Sequence, residues 1–223
     1  MQTNNSVLAL YLDGPMQAWG YQSRFNRRTS LSYPTKSGVL GILCAALGVP
    51  KSDVDTLGEL AALKMEALSF RLSSRWIDYH TVGGGYEPGS SNIPRIASGS
   101  RAKDAVITFR EYLSDAKFGV LLSGDNNLLE RCDSALENPK WGLWLGRKAC
   151  IPASPIAQGV FVSRKEAIDH LKQISNGEIQ RCITDVEDFE QGTDTLPDLP
   201  LNFDTREFSM RRVCVEDRPN GDS

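Results

Sequence analysis

Cationic and aromatic side chains are interleaved in one stretch near the N-terminus. The aromatic residues are Trp19, Tyr21, Phe25 and Tyr33, and the cations are Arg24, Arg27, Arg28 and Lys36. Proteins that bind single-stranded RNA hold phosphates with cations and stack bases on planar side chains. A helix predicted to open at Ser37 adds backbone N–H groups, and Gly38 would let a phosphate come close. The combination predicts an RNA-binding surface.

The charge is distributed unevenly along the 223 residues, although the formal net charge is only -3. Residues 1–52 hold five basic residues and one acid, whereas residues 181–223 hold five and eleven. A cationic N-terminal surface suits an anionic partner such as phosphate, with an ordinary solvated face as the alternative. The acidic C-terminal part is expected to be solvated or to face away from that partner.

Motifs for metal or nucleotide chemistry are absent from the sequence. It contains no Walker A, GxGxxG, GxSxG or HExxH motif, so we expect no cofactor. The five cysteines are widely spaced without a CxxC pair, and there are only two histidines, which disfavours both a disulfide framework and a zinc site. The lack of an apolar run of about 18 to 20 residues and of a signal sequence predicts a cytoplasmic protein with no membrane partner.

One candidate for a general base is His80, which follows Tyr79. Metal-independent RNA cleavage requires a base near the 2′-hydroxyl and cations around the scissile phosphate. The alternative is that His80 forms a local hydrogen bond and orders the base of a hairpin. A single histidine without positioned partners favours this alternative.

Hydrophobic periodicity predicts the elements that would position these residues. Residues 7–12 are typical of a strand buried on both faces, and residues 35–48 have helical spacing with Thr35 or Ser37 as the cap. The further predicted elements are a short helix after Ser52, strands at 68–76, 106–113 and 117–123, a helix at 126–137 and an apolar stretch at 141–145. This order fits an α+β fold with a ferredoxin-like βαββαβ domain over residues 1–150.

Two regions fall outside that unit. Residues 83–103 contain eleven Gly, Ser or Pro residues, which predicts a long excursion from a hairpin. Residues 151–223 are predicted to form a smaller β-rich domain, with strands at 159–162, 179–183 and 207–215, a helix from 163 to about 174, and an acidic loop at 185–200.

Several motifs resemble those of the Cas-five family. The segments Gly14-Pro15-Met16-Gln17-Ala18-Trp19-Gly20 and Tyr33-Pro34-Thr35-Lys36-Ser37-Gly38-Val39-Leu40-Gly41 resemble its N-terminal signature. Further similar segments lie at 78–82, 110–116 and 145–150. Together they cover most of residues 7–152 in the right order, and they best resemble the type I-E branch.

The resemblance implies a noncatalytic subunit of Cascade, the CRISPR RNA-guided surveillance complex of antiviral defence. Family members have an RRM-like (RAMP) domain with a protruding thumb, here at about residues 79–110, and a small C-terminal domain. They cap the backbone filament and hold the 5′ handle of the crRNA. The implied partners are the crRNA, the backbone subunit and the large subunit, with target DNA reached indirectly through guide pairing.

Two other functions are kept as alternatives. The type I-C branch of the family cleaves precursor crRNA with a tyrosine, lysine and histidine set, so a metal-independent endoribonuclease acting through His80 is the first. A scaffold that touches only protein is the second. For the leading hypothesis, the candidate RNA-binding residues are Gln17, Trp19, Arg24, Arg27, Arg28, Lys36, Ser37, His80, Arg95, Arg101, Lys103, Arg110 and Arg147. Gln17 and Trp19 would contact or stack bases. The residues that would hold phosphates are Arg24, Arg27, Arg28, Lys36, Ser37 and Arg147. Those that would serve the junction at the thumb are Arg95, Arg101, Lys103 and Arg110.

Overall fold

Thirteen strands, four α-helices and one 3-10 helix form the described part of the chain. The computed structural model describes residues 6–23, 26–71, 73–85, 87, 90, 93, 99–101 and 104–217. The strands are β1 (Val7–Asp13), β2 (Met16–Gln17), β3 (Trp19–Gly20), β4 (Arg27–Arg28), β5 (Ser30–Leu31), β6 (Lys64–Arg71), β7 (Ser74–Val82), β8 (Val106–Ser114), β9 (Lys117–Ser123), β10 (Ala157–Phe161), β11 (Arg181–Asp185), β12 (Asp194–Asn202) and β13 (Glu207–Asp217). The helices are α1 (Lys36–Leu47), α2 (Val54–Ala61), α3 (Asn126–Glu137) and α4 (Arg164–Ser175), with the 3-10 turn at Phe189–Gln191.

Seven strands form one antiparallel sheet in the order β10-β1-β9-β6-β11-β13-β12. Helices α1 and α2 lie in the connection from β1 to β6, and α3 lies in the connection from β9 to β10. Strands from the second half join this sheet at two places, because β10 pairs with β1 and β11 pairs with β6. In the described part of the chain, therefore, the strands of residues 151–217 extend the sheet that β1, β6 and β9 form.

Strand β1 is buried on both faces, as its apolar run predicts. Leu8, Leu10 and Leu12 enter one core cluster together with residues of α1, α2 and α3. The alternate residues enter a second cluster, against Ala167, Ile168 and Leu171 of α4. The sheet therefore lies between two helical layers, since successive side chains of a strand point to opposite faces. No helix in the described part of the chain is long and apolar enough to cross a membrane.

Helix α1 has the caps that the sequence predicts. The Thr35 side chain accepts a hydrogen bond from the Gly38 backbone N–H at 3.2 Å, and Gly48 ends the helix in the left-handed region at φ 75°. Gly38 is required by packing, since a Cβ built there would lie 2.9 Å from the Trp19 ring. Glycine at position 38 thus lets the Trp19 ring pack against the helix, whereas the sequence suggests that it makes room for a phosphate.

Several predicted elements differ from the structure. Residues 141–145 form no strand, and the sheet is completed by β10 instead. The strand predicted at 68–76 is the end of β6 followed by the start of β7, and much of the predicted acidic loop is β12. Helix α2 is capped by Asp53, whose carboxylate accepts the Thr56 N–H at 3.0 Å, and not by Ser52. Sequence periodicity does not indicate where a chain leaves one sheet and enters another. This explains why β6 and β7 are predicted as one strand.

Candidate nucleic-acid interface

A second sheet is built around β8. Strand β7 pairs with β8 along nine registered pairs, from Ser74–Ser114 to Val82–Val106. The other edge of β8 pairs with β4 in parallel and with β2 in antiparallel direction. Residues 83–105 join β7 to β8. Because side chains alternate across a strand, this ribbon presents two different faces.

One face carries cations and aromatic rings. We call it the cation–aromatic face and define it by Arg28, Trp76, Arg110, Tyr112 and Arg147. Trp76 is stacked on Tyr112, with ring centroids 5.0 Å apart and an interplanar angle of 21°. The register pairs Arg28 of β4 with Arg110 of β8, which places both arginines on the Tyr112 side of the ribbon.

Arg147 ties this face together from a loop outside the sheet. Its guanidinium carbon lies 4.6 Å from the Tyr112 ring centroid, a cation–π contact. Its Nη2 donates to the backbone oxygen of Arg28 at 2.9 Å, and its Nη1 donates to the backbone oxygen of Glu111. Arg147 therefore both adds charge to the face and fixes β4 against β8.

The remaining arginines of the face are accessible. Arg28 is exposed and Arg110 is half-buried, and the Arg110 Nε donates to the Thr108 hydroxyl at 3.0 Å. That bond orients the guanidinium on the ribbon surface. Trp76 is 39% exposed, whereas Tyr112 beneath it is 4% exposed. The arrangement offers cations beside a partly exposed indole, which suits phosphates and an unpaired base.

The opposite side of the ribbon is apolar. Ile77, Tyr79, Ile107 and Phe109 are 59%, 60%, 37% and 38% exposed, and we call this set the apolar face. The Tyr79 and Phe109 rings meet edge to face at 5.5 Å. Arg27 is registered with Phe109, so it lies on this side and not beside Arg28. Exposed apolar patches of this kind mark interaction surfaces.

His80 lies on the cation–aromatic side, since it is registered with Thr108. Its Nδ1 lies 3.4 Å from Asp78 Oδ2, and the side chains of both are partly exposed. Tyr79 is adjacent in the sequence but points to the apolar face, where it contacts Phe109. Strand geometry therefore separates the two residues that sequence proximity had suggested as catalytic partners.

Gln17 and Trp19 are completely buried. The Gln17 side-chain nitrogen donates to the backbone oxygens of Leu12 at 3.0 Å and of Ala116 at 2.8 Å, and its oxygen accepts the Trp19 indole N–H at 3.2 Å. These bonds satisfy the polar atoms within the core. The prediction that the two residues contact or stack RNA bases is therefore corrected, because neither side chain reaches the surface.

Lys36 is 4% exposed and lies in a buried ion network. Its Nζ lies 3.0 Å from Asp185 Oδ2, and its backbone N–H donates to Asp198 Oδ2 at 2.7 Å. The positive end of α1 is thus already occupied by a carboxylate of the same chain. This corrects the assignment of Lys36 as a phosphate-binding residue. Ser37 is half-buried, with its hydroxyl 3.5 Å from the Thr35 hydroxyl.

Three predicted contact residues, Arg95, Arg101 and Lys103, belong to the predicted excursion, and Arg24 belongs to the N-terminal stretch. Arg101 is exposed, and its Nη1 donates to the backbone oxygen of Ser90 at 2.8 Å. Arg24, Arg95 and Lys103 lie outside the described residues. The structure therefore brings together Arg28, Arg110 and Arg147 from the predicted set.

Sequence reasoning did not select Trp76 or Tyr112. The sequence predicts a single strand over 68–76, and only the break between β6 and β7 places Trp76 on the ribbon. The signal that could have identified the pair is the similar segment at 110–116, which includes Tyr112. No spacing rule links Tyr112 to Arg147, because a loop supplies the arginine.

Comparisons with known proteins agree with this architecture. The family model for CRISPR-associated protein (Cas_Cas5) matches residues 7–214. The CRISPR system Cascade subunit CasD of Escherichia coli (strain K12) is 32% identical over 185 residues, which cover 78% of this chain and 77% of that protein.

Two solved structures are similar over nearly the whole chain. One is a chain of a CRISPR RNA-guided surveillance complex, with a TM-score of 0.75 and 29% identity over 95% of this chain and 89% of that chain. The other is the crystal structure of a Cas protein, with a TM-score of 0.68 and 30% identity over 96% and 95%. Both share the mixed α/β architecture described above. Since the family model and these relatives span most of its residues, the chain belongs to the Cas-five family of CRISPR-associated proteins.

Proposed function

We propose that this protein is a noncatalytic Cascade subunit that binds the 5′ handle of the crRNA and caps the backbone filament in antiviral defence. The likeness to a Cascade subunit and to a chain of a surveillance complex supports membership of such an assembly. The observation that carries RNA binding is the cation–aromatic face. It combines three arginines with a stacked indole on a ribbon of paired strands.

The fold suits this role if its core is a ferredoxin-like (RAMP) unit. The sub-order β10-β1-β9-β6, with helical connections after β1 and β9, supports that assignment. In this view β7, β8 and the residues between them form the thumb. The β12–β13 hairpin at the far edge of the sheet corresponds to the small C-terminal part.

Each member of the cation–aromatic face has a distinct role in the proposed complex. Arg28 and Arg110 hold phosphates, because cations on a surface attract the RNA backbone without regard to sequence. Trp76 stacks on an unpaired base, a contact that contributes about 1 to 3 kcal/mol per base in such proteins. Arg147 acts mainly by holding β4 against β8, because two of its N–H groups already donate to backbone oxygens.

The apolar face is proposed to meet protein and not RNA. Ile77 and Tyr79 are each more than half exposed, and burying apolar surface of this kind favours association with another subunit. We assign the backbone subunit to this face and expect the large subunit elsewhere on the protein. Target DNA would be reached indirectly, through base pairing with the guide, and the assembly would work in the cytoplasm.

Catalysis is not part of the proposal. A metal-independent nuclease needs a base and a second proton-transfer group on the same side of the substrate. His80 and Tyr79 point to opposite faces of β7, and the group that approaches the His80 ring is the Asp78 carboxylate. His80 is expected to order the ribbon and to contribute at most a polar contact to the RNA.

Photocrosslinking tests the RNA contact directly. The protein, in its assembled complex, is irradiated with handle RNA that carries 4-thiouridine, and the adducts are mapped by mass spectrometry. We expect adducts on peptides from β7 and β8, and their loss when Trp76 is replaced by Ala. A scaffold that contacts only protein would give no adduct on this chain.

A cleavage assay tests the rejected alternative. Purified protein is incubated with labelled repeat RNA in EDTA, and we expect the RNA to stay intact. Specific cleavage that is lost in His80→Ala would establish an endoribonuclease and overturn the noncatalytic assignment. Asp78→Ala serves as the matched variant, because it removes the partner of His80 but leaves the imidazole in place.

A further inference from the structure

A groove of about 450 Å³ lies between α1, the segment around Trp141 and the β12–β13 hairpin. It shares no residue with the cation–aromatic face or the apolar face. Its lining is almost entirely apolar apart from two cations. Concave sites with apolar walls and a few polar groups are typical of binding sites.

The floor of the groove is the exposed side of α1, where the residues are small. Gly41 lies in the helix interior, and a Cβ built there would meet nothing within 4 Å. Glycine at such a position costs about 1 kcal/mol of helix stability relative to alanine. The fold has room for an alanine at position 41, but the residue there is glycine. Because glycine has no methyl group, the floor of the groove stays open.

The walls are aromatic and fixed in position. Trp141 is 50% exposed, and its backbone N–H donates to the Ala45 oxygen at 3.1 Å. Opposite, Phe208 is 42% exposed, and its ring meets Phe203 edge to face at 6.5 Å. Large rings held by backbone bonds lose little freedom when they are covered, so they favour binding of an apolar side chain.

The charge of the groove is one-sided. The residues that line the groove all belong to the part of the chain that the structure describes. The charged residues among them are Lys51 and Arg206, and none carries a carboxylate. Arg206 adopts φ 60° in the hairpin turn, where a residue other than glycine pays a conformational cost of about 1 to 2 kcal/mol. An arginine kept at this cost in a binding groove points to a use for its charge.

We propose that this groove binds a segment of a partner protein in which a large apolar side chain lies beside carboxylates. The aromatic walls and the open floor take the apolar side chain, and Lys51 and Arg206 pair with the flanking acids. Electrostatic complementarity of this kind selects partners by charge as well as by shape. The site is separate from RNA binding, so the two proposals stand or fall independently.

Short peptides test the proposal by fluorescence polarisation with the full chain. The probe is fluorescein-labelled Asp-Asp-Leu-Phe-Asp-Asp, and its two comparison peptides replace either the acids with lysine or the Leu-Phe pair with Ser-Ser. We expect the acidic apolar peptide to bind at least about tenfold more tightly than either comparison peptide, which corresponds to about 1.4 kcal/mol. Equal binding of the lysine peptide, or no binding of the acidic peptide, would overturn the proposal.

Two glycine variants separate the groove from general effects on the helices. Gly41→Leu fills the floor and should weaken binding of the acidic peptide by about tenfold or more. Gly58→Leu is the matched control, because its Cβ also meets open space but lies on α2 outside the groove. Unchanged binding by Gly41→Leu, with a normal melting temperature, would contradict the proposal.

A charge reversal keeps the test valid even if a filled groove disturbs the fold. In the Lys51→Glu/Arg206→Glu variant, the lysine peptide should become the tighter ligand. Retained preference for the acidic peptide would contradict the assigned role of the two cations. Sedimentation tests whether a second copy of the protein occupies the groove. A dimer in the parent that dissociates in the Gly41→Leu variant would identify the second copy as the occupant and would overturn the proposal of a partner protein.

Discussion

Removal of the Asp198 carboxylate should strongly destabilise the protein, because this group joins the two halves of the chain inside the core. Asp198 is 2% exposed and accepts hydrogen bonds from the Lys36 backbone N–H at 2.7 Å and from Arg211 Nε and Nη2 at 2.9 and 2.7 Å. Burial acts to lower the pKa of Arg211, but its bonds and charge pairing with Asp198 and Asp185 raise that pKa above its ordinary value.

The expected magnitude follows from what the substitution leaves behind. In Asp198→Ala, the guanidinium of Arg211 stays buried with only Asp185 as its partner, and the first N–H of α1 loses its acceptor. Breaking a buried pair on one side costs about 3 to 5 kcal/mol. The double variant Asp198→Ala/Arg211→Met removes both charges, so it should recover most of that loss.

Urea unfolding followed by far-ultraviolet circular dichroism measures both variants. Glu207→Ala on the same hairpin is the control, because Glu207 is exposed and such changes stay within about 0.5 kcal/mol. If the free energy of unfolding of Asp198→Ala lies within about 1 kcal/mol of the parent value, the ion network does not hold the two halves of the chain together. A double variant no more stable than Asp198→Ala would show that the stranded Arg211 charge is not the cause.

Two further predictions concern α1 and the thiols. Gly38→Ala should destabilise the protein by about 1 to 3 kcal/mol, because its Cβ would lie 2.9 Å from the Trp19 ring. At Gly41→Ala the new Cβ meets open space, so this variant should be more stable than the parent by up to about 1 kcal/mol. Equal melting temperatures for the two variants would show that the contact with Trp19 does not require glycine at position 38. Burial raises the pKa of the Cys44 and Cys132 thiols to about 11 and that of Cys182 to about 12. Cys214 is the cysteine that is not buried. Iodoacetamide at pH 8 should therefore label Cys214 before it labels the three buried thiols. Prior labelling of Cys182 would contradict the structure.

The elements of local origin were predictable from the sequence. Thr35 and Gly48 end α1 as their residue types suggest, and Ser163 caps α4 by accepting the Glu166 N–H at 3.3 Å. The continuous apolar run of β1 correctly predicts a strand buried on both faces. These features depend on contacts within a few residues, which a single sequence contains.

The errors at the site have a different origin, because long-range contacts decide burial. As part of a cationic run, Lys36 is predicted to bind RNA, but its carboxylate partners Asp185 and Asp198 lie 149 and 162 residues away in the chain. The cations near Trp19 in the sequence predict that its ring stacks on bases, yet the fold places it beneath Gly38 in the core. An amphipathic run has the same appearance whether its rings face inward or outward.

The acidic composition of the C-terminal part was likewise only partly informative. Two of its acids are partners of Lys36 and Arg211: Asp198 is buried, and the Asp185 side chain is 14% exposed. The other eight described acids of residues 181–223 are exposed, so this part of the chain also presents the acidic surface that its composition predicts. The cation–aromatic face emerged only once β4, β8 and the loop of Arg147 were placed next to each other.

The salt dependence of handle binding tests whether the cation–aromatic face binds RNA. In single strands, each phosphate contact contributes about -0.7 to the slope of log K against log salt concentration. The Arg28→Gln/Arg110→Gln variant should therefore flatten the slope by about 1.4 and weaken binding to all handle sequences. The control is Lys51→Gln/Arg206→Gln, which removes the same charge from the groove beside α1 and should leave the slope unchanged. An unchanged slope in the first variant, or an equal loss in both, would contradict the assignment of the cation–aromatic face as the RNA-binding surface.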